Sequence, residues 1–151
     1  MTRQGRILII LALAGLAVLA ALVAVLLNTE TDAKRRRAAA TYEATAAQHL
    51  KNLAAAEQNY LDNFGEYATF DQLLAAGILL NKEFAGDAPA VDGYVFRLRL
   101  TPRAGERPPS YSINADPHAA GGERHLYLDS EVIGIRYSDG RPATAADRQR
   151  E

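Results

Sequence analysis

Residues 38–64 read AAATYEATAAQHLKNLAAAEQNYLDNF, and how this stretch is read decides the fold. Tyr42, Ala46, Leu50, Leu53, Ala56, Tyr60 and Phe64 recur at steps of three and four, the spacing of one face of an α-helix. Neither proline nor glycine occurs between Leu16 and Phe64, so nothing in the covalent chemistry interrupts a helix there. Gly65 is placed to end it in a left-handed conformation. The spacing predicts one long helix ending at Phe64, with a softening around 28–32.

Upstream, residues 7–27 (ILIILALAGLAVLAALVAVLL) carry no charge and no strongly polar side chain. At about 1.5 Å rise per residue such a run spans roughly 32 Å, close to the hydrocarbon thickness of a bilayer. A buried helix of a water-soluble protein would keep a polar stripe, which this one lacks. The run is longer than the apolar region of a cleaved secretory signal, and no convincing A-x-A site follows, so a signal anchor is expected. A count of Lys and Arg alone (Arg3 and Arg6 before the segment, Lys34, Arg35, Arg36 and Arg37 after it) would put the C-terminal side in the cytoplasm. The basic run at 34–37 stands about two turns beyond the apolar segment. There it would meet either solvent or anionic headgroups.

Charge is divided unevenly. Residues 1–37 hold six Lys/Arg and two Asp/Glu, a net +4, and the remainder holds 11 and 16, a net −5. An acidic domain without a basic face is a poor partner for nucleic acid, whose phosphates dominate such affinities. The absence of cysteine excludes disulfides, thiolate metal sites and thiol catalysis.

After Gly65, Thr69 with Gln72 forms the pattern of a capping box, and Gly77 closes a short helix. The period then changes to two. In YVFRLRLT (94–101), Tyr94, Phe96, Leu98 and Leu100 face one way, and Arg97, Arg99 and Thr101 face the other. Further strands are expected at 111–115, 125–128 and 132–137, the last two joined by a turn at 129–131, with a frayed polar tail at 141–151. The expected fold is α+β: a long N-terminal helix, membrane-spanning in its first half and amphipathic in its second, packed on a small antiparallel sheet of about four strands. The expected segments are a cytoplasmic N-terminus or leader at 1–6, a transmembrane helix at 7–27, its amphipathic continuation at 28–64, a globular head at 65–140 and the tail.

This order resembles that of type IV pilins and of the pseudopilins of type II secretion. The likeness is carried by AAAEQNYLDNFGEYATFDQLLAAGIL, with Gln58, Tyr60, Gly65, Tyr67, Leu73, Leu74 and Gly77. DGYVFRLRL, like a first strand, and HLYLDSEVIGIRYSDGRPAT, like a last hairpin with Asp129, Arg136 and Tyr137, extend it. The resemblance implies prepilin cleavage between Gly5 and Arg6, and a bacterial inner-membrane protein whose N-terminus is cytoplasmic and whose C-terminal domain is periplasmic or extracellular. It also implies association with other pilin-like subunits or an envelope complex. Where the family carries Phe-Thr-Leu-x-Glu after the glycine, this chain reads RILII, with Ile10 at the position of the glutamate. That glutamate is thought to neutralise a neighbour's amino terminus, and an ammonium buried without a partner is costly. A minor or tip subunit, or an uncleaved membrane-tethered binding module, fits better than a major subunit. Ala14, Gly15, Ala17 and Ala21 are small residues of the kind that lets helices approach closely in an apolar medium.

Signals of chemistry are weak. His118 and His125 could meet Asp116 or Glu123, but lack metal-ligand spacing, and His49 stands apart. Asp129, Glu131 and Asp139 read as turn residues rather than as a dense calcium loop. The expectation is therefore no catalytic residue, no cofactor and no metal. Arg97 and Arg99 read as a solvated sheet face, and Tyr127 and Tyr137 as partly outward-facing.

Overall fold

A computed structural model of the chain describes the backbone of residues 3–118, 121–132 and 134–149, and, within these, the side chains of Leu19 and of residues 22 onwards. The elements are α1 (Arg3–Phe64), α2 (Phe70–Ala75), a single 3₁₀ turn (Lys82–Phe84) and six strands. The strands are β1 (Ala90–Val91), β2 (Tyr94–Thr101), β3 (Ser110–Pro117), β4 (Arg124–Asp129), β5 (Arg136–Asp139) and β6 (Arg148–Gln149). The chain divides into two units, Met1–Arg37 and Ala38–Glu151.

In the first unit the backbone is helical through 28–32, with no softening. Thr29 and Thr31 donate their hydroxyls to the carbonyls of Leu26 and Leu27, at 2.8 and 2.9 Å, so these polar side chains are satisfied within the helix. Leu22, Val23, Val25, Leu26 and Leu27 are exposed, Leu26 by 65 %. No helix among the described residues is long and apolar enough to cross a membrane. The expected transmembrane segment, 7–27, falls largely on side chains outside the described residues.

The second unit is an α+β head. Its sheet runs β1-β2-β3-β4-β5-β6, every neighbouring pair antiparallel. Period-two alternation puts Phe96, Ala115, Leu126 and Tyr137 in one row across four strands and Leu98, Ile113 and Leu128 in the next. Both rows face α1, which contributes Ala46, Leu50 and Leu53 to the core, while Phe70, Phe84 and Tyr94 fill its margins. Residues 38–64 are thus helical because every third or fourth apolar side chain has a sheet to cover. At the end of α1, the Gly65 amide donates to the Leu61 carbonyl at 2.8 Å with φ +78°, a conformation that other residues enter at a cost. The capping box of α2 is present: the Gln72 amide donates to Thr69 Oγ1, and the Thr69 amide donates to Gln72 Oε1.

Three expectations need correction. The strand placed at 132–137 begins only at Arg136, because Asp129 Oδ1 accepts the amides of both Glu131 and Val132 and holds 130–132 in a turn. The expected four strands correspond to β2–β5, and two short flanking strands extend the sheet to six. Of the segment expected to fray, residues 141–149 are tied down. Asn114 Nδ2 donates to the Ala143 carbonyl, Asp147 pairs with Arg141 and accepts from Thr144, and β6 pairs with β5. Pairing of this kind is what fixes a terminus.

Candidate functional site

The helix face that covers the sheet carries two carboxylates. Glu43, Ala46, Leu50, Leu53 and Glu57 follow one another at steps of three, four, three and four, so both acids point into the head with the core residues. Their environments differ.

Glu43 meets Arg124 of β4, whose Nε donates to Glu43 Oε2 at 2.8 Å and whose Nη2 donates to Oε1, a bidentate pair. The Arg124 guanidinium also lies 5.1 Å from the centre of the Tyr137 ring, and the Tyr94 hydroxyl donates to the Arg124 carbonyl at 3.0 Å. One ionic clasp therefore joins α1 to the sheet across 81 residues of sequence.

Glu57 is fully buried, at 0 % exposure. Its Oε2 accepts the Ala68 amide at 2.9 Å, which ties the turn after α1 back onto the helix. Its Oε1 is the buried side-chain polar atom with no hydrogen-bond partner among the described residues. Burial pushes the carboxyl up from its ordinary 4.5 to about 7, and the Ala68 hydrogen bond opposes the rise only in part. The hydroxyls of Tyr67 and Tyr111 are held above their ordinary range, first by burial and further by the Glu57 charge.

A groove of about 460 Å³ opens beside these tyrosines, lined also by Lys51, Gln58, Leu128, Ser130 and Ile135. Tyr67 packs edge-on against Tyr111, with ring centres 4.7 Å apart, and hydrogen-bonds Ser130. At the groove's end Arg136 Nη1 donates to Asp129 Oδ2 at 3.0 Å, and both side chains are nearly buried, at 8 and 9 % exposure. On the outer face of the sheet, which Arg136 shares, Asp116 meets two side chains: Arg97 Nη1 at 2.7 Å and His125 Nδ1 at 2.6 Å. His49 Nε2 meets Asp92 at 2.9 Å and stands edge-on to Phe84 and Phe96.

The residues singled out in the sequence therefore separate into groups. Tyr60 stacks on Phe64 with ring centres 4.3 Å apart, Gly65 turns the chain, Tyr67 and Asp129 line the groove, and Arg136 pairs with Asp129. Tyr137 lies on the inner face beside Arg124 rather than facing out, while Tyr127 shares the outer face with Arg136, whose guanidinium is 5.9 Å from its ring centre. Gly5, Arg6, Ala14, Gly15, Ala17 and Ala21 fall outside the residues whose side chains are described. His125 does meet Asp116, but no group of three His, Cys, Asp or Glu able to hold a metal forms among the described residues. Glu57 and Glu43 escaped the sequence reading because the stripe was traced through apolar residues only. Extending the same spacing from Leu53 to the next turn would have flagged Glu57.

No protein-family model matches this chain, and neither a curated protein nor a solved structure shows significant similarity to it.

Proposed function

We propose that the chain is a pilin-like, membrane-anchored structural or assembly subunit of a type IV pilus or a type II secretion pseudopilus, in a minor or tip position. In this reading the first part of α1 lies in the bacterial inner membrane, the N-terminus is cytoplasmic, and the head stands outside the cytoplasm. The observation that carries it is the pairing, within α1, of two chemically opposite uses of helix. Residues 22–27 expose leucine and valine, which need lipid or other helices around them, while residues 38–64 bury one stripe against an antiparallel sheet. The uninterrupted apolar run of 7–27 and the motifs around Gly65 and Asp129 support the same reading.

A second reading is favoured by Ile10: an uncleaved, membrane-tethered module whose head binds an envelope partner. Two measurements on one preparation separate them. The absence of cysteine makes single variants Ala14→Cys, Ala17→Cys and Ala21→Cys clean reporters of helix proximity. A packed subunit gives disulfide-linked dimers at a helical subset of these positions and an intact mass beginning at Arg6. Monomers at all three, with a mass beginning at Met1 or Thr2, reject the subunit in favour of the tethered module.

A further inference from the structure

The sheet ends, on the β1 side, in an edge that is mostly unpaired. The Phe96 amide donates to the Pro89 carbonyl at 2.9 Å, so the even-numbered residues of β2 turn their N–H and C=O groups towards β1, and the odd-numbered ones towards β3. β1 reaches no further along β2 than Tyr94 and Val95, because Gly86, just before it, donates its amide to Asp71 Oδ1 and the chain leaves for α2. Leu98 and Leu100 therefore present two N–H and two C=O groups with no backbone partner among the described residues. A strand edge of this kind is a template for another extended chain.

The side chains around the edge specify what that chain would carry. Leu98 and Leu100 point inward and are half-buried, while Arg97 and Arg99 project from the outer face and are exposed. Arg97 is shared with Asp116, and Arg99 has no hydrogen-bond or ion-pair partner among the described residues. An antiparallel strand bonded to Leu98 and Leu100 would place its outward side chains directly opposite Arg97 and Arg99, within about 5 Å at Cβ. A second copy of β2 would set arginine against arginine, which is unfavourable in that position. An acid–apolar–acid sequence instead puts carboxylates on the arginines and the apolar residue beside Leu98.

We propose that the free edge of β2 docks an extended, alternating acidic–apolar segment of a partner polypeptide by strand addition, with Arg99 as its main charge contact. The proposal concerns the head alone and does not depend on how the N-terminal segment is used.

The test is titration of the full chain, in detergent micelles, into a fluorescein-labelled, end-capped peptide TEVEVET, read by anisotropy. Saturable binding is expected. Methylating the valine backbone nitrogens, which would face β2, should weaken binding at least ~10-fold, whereas methylating the glutamate nitrogens, which would face solvent, should leave it within ~3-fold. Arg99→Glu, a change at an exposed position, should weaken it ~10-fold, and the lysine peptide TKVKVKT should not bind. Absence of binding by TEVEVET overturns the proposal. So does equal sensitivity to both methylation patterns, or an Arg99→Glu chain that is folded by circular dichroism and binds unchanged.

Discussion

Removing the charge of Glu57 should abolish the loss of head stability between pH 5 and 8. Its carboxyl titrates near 7 in the folded chain and near 4.5 when unfolded. Between these values the unfolded chain has released its proton while the folded chain retains it, so rising pH favours unfolding. The contribution is fully present below about pH 4.5, fades as pH rises, and is gone above about 7. The difference of about 2.5 pH units corresponds to roughly 3 kcal/mol, an upper figure because some water reaches any carboxylate near a surface groove. Glu57→Gln keeps an oxygen to accept the Ala68 amide and cannot ionise. It should be less stable than the native head at pH 5, since its buried amide N–H groups inherit the unpartnered site, and more stable by about 1–2 kcal/mol at pH 8. Tyr67 and Tyr111 stay neutral throughout, so neither contributes to the slope in this window. The assay is urea unfolding followed by tyrosine fluorescence, since the chain has seven tyrosines and no tryptophan, at pH 5, 6, 7 and 8. A native midpoint that is flat or rises from pH 5 to 8, or a Gln variant with the native slope, would refute the assignment of Glu57 as a buried, strained carboxyl.

Three further outcomes follow from the same geometry. Arg124→Gln leaves Glu43 buried without its bidentate partner and should lower head stability by about 2 kcal/mol, less than a fully buried pair would lose because Arg124 is partly exposed, as read from the urea midpoint. Thr69→Ala removes half of the capping box of α2 and should cost about 1 kcal/mol in the same assay. Gly93→Ala must adopt φ +78° and bring its methyl to 2.9 Å from the Gly121 Cα, so its midpoint should fall by more than that of Gly65→Ala, where φ is equally positive but nothing stands within 4 Å.

The helix-on-sheet architecture was legible because its signals are local. The three-and-four spacing of Ala46, Leu50 and Leu53, the alternation of Tyr94, Phe96 and Leu98, and the Thr69–Gln72 pair each depend on a few neighbouring residues. The last hairpin was misread for a physical reason. Val132 and the apolar residues after it look like a strand, but Asp129 captures two successive amides and delays pairing until Arg136. The tail was misread because its anchors, Asn114 to Ala143 and Arg141 to Asp147, are polar and partly long-range, and composition does not reveal them. The candidate site was the least legible part. Glu43 and Arg124 stand 81 residues apart, and the burial of Glu57 depends on a turn folding back through Ala68. The open edge of β2 is likewise a property of where β1 stops, which no motif records.

The most direct test of the central claim, that this head is held at a membrane by the apolar N-terminal part of α1, is alkaline carbonate extraction of membranes from cells making the full chain, followed by protease treatment of intact spheroplasts. The account predicts that the chain stays in the pellet, that deleting residues 7–27 releases a folded head, and that protease digests the head from outside. A full-length chain released by carbonate, or a pelleted chain whose head is protected until the inner membrane is broken, would contradict it.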